Sequence, residues 1–138
     1  MSAYWDSSAL INALVSVPVV NRLSAGEHVT RLHAYVEVFH HISGRGLPRK
    51  NGPPLRVTPG DAARLIRGLA QDLAATSLDE AQMLQALDEA HSRGVMGRMV
   101  HDWLHVRAAK FGGTDTLLTR DEGLKAIALR EGMKVEWP

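Results

Sequence analysis

The chain of 138 residues contains no cysteine. This absence excludes a disulfide framework, a thiolate metal site and a cysteine nucleophile. Aromatic residues are also scarce, with three Trp, two Tyr and two Phe, so an aromatic platform for stacking nucleic-acid bases is not expected. The chemistry of this chain must therefore come from carboxylates, hydroxyls, histidines and basic side chains.

A large excess of charge of either sign is absent as well. Sixteen Lys and Arg residues face fifteen Asp and Glu residues, which gives a net charge of +1. This balance excludes a generally basic coat for nucleic acid and leaves only local basic patches open. The longest apolar run, residues 9–20, is interrupted by Asn12, Ser16 and Pro18, and is too short and too polar for a membrane span. No signal peptide is predicted, and a cytoplasmic location is expected.

What is present is the composition of a globular domain, with 45% hydrophobic and 22% charged residues. The length fits one domain over residues 1–138. Short apolar segments predicted as strands alternate with longer amphipathic segments predicted as helices. This alternation predicts an α/β fold in which a small, mostly parallel central sheet is flanked by helices.

Caps, periodicity and loop signals predict where the elements lie. Strands are expected at 2–6, 28–31, 72–76, 116–119 and 134–137, and helices at 7–17, 32–42, 58–69, 77–94, 99–111 and 122–131. Ser7 or Ser8 is expected to cap the first helix and Pro18 to end it, followed by a loop over 21–28. Ser77 with Glu80 matches a capping box.

Apolar stripes and one loop are distinctive. The stripes are predicted to face the core or an interface, and they consist of Leu32, Tyr35, Val36 and Phe39 and of Leu65, Ile66 and Leu69. The segment Leu47–Pro54 (LPRKNGPP) is rich in Pro and Gly and also basic, which predicts an exposed connection.

Four acidic residues occupy positions that are typical of a ligand-binding or metal-binding site. Asp6 and Asp121 follow apolar strands, at the sheet edge where parallel α/β folds bind ligands. Glu37 and Asp102 lie among apolar neighbours on predicted helices, where a carboxylate is costly to desolvate unless a positive charge compensates it. Converging carboxylates would repel one another unless a divalent cation lay between them, and oxygen ligands suit Mg²⁺ or Mn²⁺.

Each of these acids also has a simpler interpretation. Asp6 and Asp121 could be helix N-caps, and Glu37 and Asp102 could lie on solvated helix faces. Glu27 competes with Glu37 as the second acid, although it lies in a polar segment. From the residues alone, the metal site is a hypothesis.

Two segments resemble the PIN-domain family. Tyr4–Ile11 (YWDSSALI) is similar to the family's opening strand, which delivers an Asp followed by Ser or Thr. His101–Gly112 (HDWLHVRAAKFG) with Thr116–Asp121 (TLLTRD) resembles its helical Asp and its later strand-Thr-x-Asp signature. The spacing of the four acids is similar to that of compact VapC-type toxins of bacterial toxin–antitoxin pairs. The resemblance implies a PIN-like three-layer fold.

The resemblance also implies an activity and partners. PIN domains of the toxin branch are metal-dependent endoribonucleases, so Asp6, Glu37, Asp102 and Asp121 would hold one or two Mg²⁺ or Mn²⁺ ions. Ser7 and Thr119 would support these ligands or a phosphate oxygen. The implied partners are an RNA substrate, a cognate VapB-like antitoxin and a second copy of the chain in a homodimer.

An RNA substrate must be held by local positive charge, because the net charge is small. Basic residues lie around the loop (Arg45, Arg49, Lys50 and Arg56) and near the acids (Arg98, Arg107, Lys110 and Arg120), and the candidates for RNA contact are Arg45, Arg49, Lys50, Arg107 and Arg120. Phosphate contacts of this kind fix position without determining sequence. The histidines, including the pair His101 and His105, are expected at the surface or facing a partner, because the pair lacks the zinc metalloprotease pattern.

Two other functions remain open at this point. The first is a PIN-like module that binds RNA or protein without nuclease activity. The second is phosphoryl transfer with Asp6 as the nucleophile, which is disfavoured because residue 8 is Ser8 and not a second Asp.

Overall fold

A five-stranded parallel sheet forms the centre of the computed structural model, which describes residues 2–138. Its strands are β1 (Tyr4–Trp5), β2 (His28–Arg31), β3 (Leu73–Thr76), β4 (Thr116–Leu118) and β5 (Lys134–Glu136). They lie in the order β3-β2-β1-β4-β5, and every neighbouring pair is parallel. The predicted α/β fold is confirmed, and the sheet is parallel throughout where a mostly parallel one was expected.

Seven helices within the described residues cover the two faces of this sheet. They are α1 (Ser7–Val15), α2 (Val17–Ser24), α3 (Leu32–Gly44), α4 (Pro59–Ala70), α5 (Glu80–Ser92), α6 (Met99–Phe111) and α7 (Glu122–Arg130). Buried apolar residues of α1 to α4 form one cluster against the sheet, and those of α5 to α7 form a second. The fold therefore has three layers, as the sequence predicts.

The two central strands divide their side chains between the two clusters. Successive residues of a strand point to opposite faces. Trp5 and Leu118 pack with α1 to α4, whereas Tyr4 and Leu117 pack with α5 to α7. All four are fully buried, so β1 and β4 are covered on both faces, as is typical of parallel sheets.

Pro18 begins a helix instead of ending one, which corrects the prediction. α1 ends at Val15, and α2 follows with Pro18 in its first turn. Proline is tolerated there because the first N–H groups of a helix have no intrahelical partner. Val19 and Leu23, four residues apart, are buried against the core. The predicted loop over 21–28 is therefore wrong for residues 21–24.

Of the two roles predicted for the apolar stripe of α3, core or interface, the core role is excluded for most of its residues. Leu32, Val36 and Phe39 are 54%, 59% and 38% exposed. The core is lined instead by Ala34, Val38 and Ile42. Both sets have helical spacing, so periodicity alone cannot distinguish them. The choice is made by packing against α1, which the sequence pattern does not contain.

The capping box of α5 lies two residues later than predicted. Asp79 caps the helix by accepting from the Gln82 N–H at 2.8 Å, and the Gln82 side chain accepts from the Asp79 N–H at 3.0 Å. The pattern of a polar cap followed three residues later by Glu or Gln occurs twice in this segment. The predicted pair, Ser77 with Glu80, is therefore wrong in register.

The basic Pro/Gly loop is exposed, as predicted, and is closed by backbone hydrogen bonds. Leu47 and Leu55 exchange two N–H to carbonyl bonds of 2.8 Å each. Gly46 has φ of +96°, and a Cβ at this position would collide with the Leu55 carbonyl. Only glycine fits there.

Among residues 2–138, no helix is both long and apolar enough to cross a membrane.

Paired alanine substitutions on α3 test which of its faces is buried. Ile42→Ala should lower the free energy of unfolding by about 2–5 kcal/mol, because it opens a cavity in the core. Val36→Ala should change it by less than about 0.5 kcal/mol. Urea unfolding of both variants provides the measurement, and equal losses would show that the assigned face is wrong.

Candidate functional site

The carboxyl ends of β1 and β4 lie side by side at the centre of the sheet. The chain leaves β1 towards β2 on one side, and β4 is the neighbour on the other side. Parallel sheets bind ligands outside the strand ends at such a switch point. The pairing of Tyr4 with Leu117 and of Trp5 with Leu118 brings Asp6 next to Thr119 at this edge.

Asp6 is 3% exposed, and its carboxylate accepts three hydrogen bonds. Oδ1 accepts from the Ser8 hydroxyl at 2.6 Å and from the Ala9 N–H at 2.9 Å, and Oδ2 accepts from the Thr119 hydroxyl. The Ala9 bond makes Asp6 the N-cap of α1. The predicted cap at Ser7 or Ser8 is therefore wrong, because the helix begins directly after the strand. Burial raises the pKa of Asp6 in spite of these donors.

Asp121 is connected to Asp6 through the hydroxyl of Thr119. The Asp121 N–H donates to Thr119 Oγ1 at 3.0 Å, while this hydroxyl donates to Asp6. Asp121 also caps α7, with Oδ1 accepting from the Leu124 N–H at 2.9 Å. From the sequence, Asp121 was either a helix N-cap or an acid at the ligand-binding edge of the sheet. In the structure, Asp121 is both.

Asp102, in the first turn of α6, approaches Asp121 at Gly123. A Cβ on Gly123 would lie 3.0 Å from Asp102 Oδ2 and 3.2 Å from Asp121 Oδ1. Both carboxylate oxygens therefore lie within 3.2 Å of one point, and a side chain at residue 123 would occupy the space between them. A side chain at residue 123 would therefore make a tight contact with both carboxylates and would require them to shift by a few tenths of an ångström.

The charges of these carboxylates are not compensated by basic side chains. Within residues 2–138, no Lys or Arg forms a salt bridge with Asp6, Asp102 or Asp121. Burial, followed by the negative charges of Asp121 and Asp6, raises the pKa of Asp102, and the nearby histidines only partly oppose this rise. A group of like charges without a counter-ion is the arrangement that a bound cation stabilises.

Glu37 reaches the same region from α3 and is in contact with a buried histidine. His105 Nε2 lies 3.3 Å from Glu37 Oε1, which is itself buried and has no aligned hydrogen bond. His105 Nδ1 lies 2.8 Å from Tyr4 Oη. Burial raises the pKa of Tyr4, so its phenol keeps the proton. When Tyr4 donates to Nδ1, the ring proton is on Nε2 and faces Glu37.

The ionised form of Glu37 is favoured by its neighbours. Burial alone would raise the pKa of Glu37, but the imidazole of His105 and the more distant charges of Arg31 and His33 outweigh it. The pKa is therefore held below its usual value. Glu27, the competing acid, lies exposed in the turn before β2.

An open groove borders Glu37 and the first turn of α1. It has a volume of about 530 Å³, and its lining includes Ser7, Ser8, Glu37, His41 and Arg45. The first turn of α1 and the last two turns of α3 form its walls. Glu37 and the Ser8 side chain, which bonds Asp6, can therefore be reached from this groove.

The basic residues that were predicted to contact RNA lie in different parts of the structure. Arg45 lines the groove, and Arg120 lies between Thr119 and Asp121 in the chain. Arg49 and Lys50 are exposed in the Pro/Gly loop. The predicted RNA contact by Arg107 is not supported. The Arg107 guanidinium pairs with Glu89 at 3.1 Å and lies over the rings of Trp103 and Phe111, so it is used in packing α5 against α6.

Three contributors to the site were missed in the sequence. Ser8, and not the predicted Ser7, bonds Asp6, because the second helical residue lies beside an N-cap side chain. Gly123 was not considered at all. His105 was expected at the surface but is 5% exposed, and its spacing of three from Asp102 was the available signal, since such residues are neighbours on a helix.

The chemistry of the donor set fits a hard divalent cation. The candidate ligands are carboxylate oxygens of like charge, Glu37 Oε1 is buried with no aligned hydrogen bond, and no side chain at Gly123 separates Asp102 from Asp121. Among residues 2–138, however, no three acidic or histidine side chains form a ready-made metal-binding group. An ion held by these side chains would therefore be bound by one or two carboxylates with water as the remaining ligands, or by three after a side chain rotates.

No protein-family model matches this chain, and neither does any curated protein. The function must therefore be argued from the site itself.

Removal of the Asp102 charge should stabilise the metal-free protein. A raised carboxyl pKa means that folding favours the protonated form, so the charged form reduces stability as pH rises from about 3.9 through the folded value. In EDTA at pH 7, Asp102→Asn should gain less than about 1 kcal/mol, because the carboxyl is partly exposed. The gain should disappear below about pH 3.9.

Urea unfolding across this pH range measures the effect, with Asp88→Asn as the control. Asp88 is an exposed residue of α5, and no gain is expected from its substitution. A loss of stability in Asp102→Asn at pH 7 would contradict the assignment of like-charge repulsion.

Proposed function

We propose that this protein is a metal-dependent endoribonuclease with a PIN-like fold, and that it acts in the cytoplasm as the toxin of a VapBC-type toxin–antitoxin pair. The observation that carries the proposal is the meeting of Asp102 and Asp121 at Gly123, beside the Asp6–Thr119 pair at the switch point of the sheet. Three of the four residues that the PIN resemblance implies as ligands, Asp6, Asp102 and Asp121, therefore lie near one another, and Glu37 is connected to them through its contact with His105.

The proposed reaction is hydrolysis of an RNA phosphodiester by water. Asp6, Glu37, Asp102 and Asp121 are the residues that would hold Mg²⁺ or Mn²⁺. A divalent cation supplies Lewis acidity, which lowers the pKa of a nucleophilic water and offsets charge that develops on the phosphate. The bond between phosphorus and the leaving ribose oxygen breaks as the new bond to water oxygen forms.

The protein's own groups position and polarise the reactants. Thr119 and Ser8 fix the Asp6 carboxylate through their hydroxyls. His105, held by Tyr4, limits the movement of Glu37. Glu37, with its lowered pKa, is ionised at neutral pH, which is the form that binds a cation. A carboxylate of the group that does not bind the cation would accept the proton of the attacking water.

Partners form part of the same proposal. An antitoxin of the VapB type would cover the groove beside Glu37. A homodimer would use the exposed apolar surface between α3 and α4, which has a cavity of about 300 Å³ lined by Tyr35, Val36, Phe39, Ala63 and Ile66. Exposed apolar patches of this kind mark interaction sites.

A second candidate function is a PIN-like module that binds RNA or protein without cleaving it. It is favoured by one observation, the absence of a ready-made group of three metal ligands among residues 2–138. The two functions differ in whether a cation changes the fate of the RNA.

Cleavage of a mixed RNA pool distinguishes the two functions. The wild-type protein should cut RNA in Mg²⁺ or Mn²⁺ and not in EDTA. Asp102→Asn should reduce the rate by at least about 100-fold, since even a residue that only supports a metal ligand costs 10–100-fold when it is replaced. Cleavage that persists in EDTA, or no cleavage by a folded protein under any condition, would contradict the nuclease proposal.

The role of Glu37 can be tested against that of Glu27. Glu37→Gln removes the charge beside His105 and should lower the cleavage rate by at least about 10-fold. Glu27→Gln, at an exposed position away from the groove, should leave the rate unchanged. Equal effects of the two substitutions, measured by single-turnover kinetics, would remove Glu37 from the site.

A further inference from the structure

An exposed tryptophan lies at the same sheet edge as the carboxylates. Trp137 follows β5 directly, and β5 pairs with β4. Its ring is covered on one side by the guanidinium of Arg120, 4.7 Å from the ring centroid. Trp137 is 38% exposed, whereas Trp5 and Trp103 are fully buried. Trp137 is thus the tryptophan that a ligand can reach.

A slot opens between this tryptophan and α1. It has a volume of about 220 Å³. Its apolar lining is Ile11, Val15, Pro48 and Trp137, and its polar lining is Ser8, Asn12, His41 and Arg120. Flat apolar walls with a few hydrogen-bonding groups are suited to a planar heterocycle.

The charge of the slot favours a ligand that carries phosphate. No acidic side chain lines it, and Arg120 and His41 do. Arg120 forms no salt bridge with any acidic side chain of residues 2–138. Its guanidinium is therefore available for a phosphate oxygen while it stacks on Trp137.

The slot is continuous with the groove beside Glu37. Ser8, Ile11 and His41 line both cavities. Ser8 also connects the slot to the carboxylates, because its hydroxyl donates to Asp6 at 2.6 Å and accepts from the Arg120 N–H at 3.0 Å. A ligand in the slot would lie next to the Asp6 side of the site.

We propose that this slot binds one unpaired nucleobase of single-stranded RNA, stacked against the Trp137–Arg120 pair, next to the phosphodiester that is cut. This inference rests on the proposed function for its substrate class. Although the aromatic content of the chain is low, one indole and one guanidinium plane are sufficient to stack a single base.

The test uses the full-length protein in EDTA, so that binding is measured without cleavage. The probes are a short single-stranded oligoribonucleotide and the same oligonucleotide with one abasic position. The base-bearing probe should quench the fluorescence of Trp137 and should bind about 5- to 150-fold more tightly than the abasic probe, the ratio that corresponds to ~1–3 kcal/mol of base–aromatic stacking.

Two pairs of variants identify the slot. Trp137→Leu should abolish the preference for the base-bearing probe, whereas Trp137→Phe should retain most of it. Val15→Glu places a negative charge in the slot and should weaken binding of both probes. Val17→Glu is its matched control, since Val17 is 70% exposed and does not line the slot.

The outcomes separate this inference from the nuclease proposal. Equal affinity of the wild-type protein for the two probes, or an undiminished preference in Trp137→Leu, would overturn the base slot even if RNA is cleaved in Mg²⁺. A base preference that depends on Trp137 would support the slot even if no cleavage occurs with any cation.

Discussion

The parallel pairing of β1 with β4 is the constraint on which the rest of the structure depends. It places Trp5 beside Leu118 and buries both, and it ends both strands at the same edge. Asp6 then begins α1 while its N–H donates to the Leu118 carbonyl at 3.2 Å. Because the chain departs from this edge in opposite directions, the space above it is not filled by a connection.

At that edge, carboxylates are brought close together and partly or fully buried, which is unfavourable for their charged forms. Three carboxylates approach one another, and hydrogen bonds from Ser8 and Thr119 hold one of them in place. The raised pKa of Asp102 reflects burial and this repulsion. Among residues 2–138, no Lys or Arg forms a salt bridge with these three carboxylates, and His105 is in contact with Glu37. The fold therefore holds negative charges close together, which lowers its stability unless a cation is bound.

Much of this arrangement could be predicted from the sequence, and the failures have physical causes. Strand ends and helix spacing identified Asp6 and Asp102, because strands and amphipathic helices leave local patterns. The roles of Gly123 and Trp137 depend on which elements become neighbours in space, and no local pattern records this. The role of the α3 stripe, core or interface, was left open for the same reason, since Val36 and Val38 both belong to apolar sets with helical spacing and the packing of α1 and α4 against α3 decides between them.

Binding of a divalent cation by the carboxylate group can be measured by calorimetric titration of the metal-free protein with Mn²⁺. Saturable binding is expected, and it should be lost in Asp121→Asn and kept in Asp115→Asn. Asp115 precedes β4 and therefore lies at the opposite edge of the sheet. No binding by the folded wild-type protein, or undiminished binding by Asp121→Asn, would contradict the account.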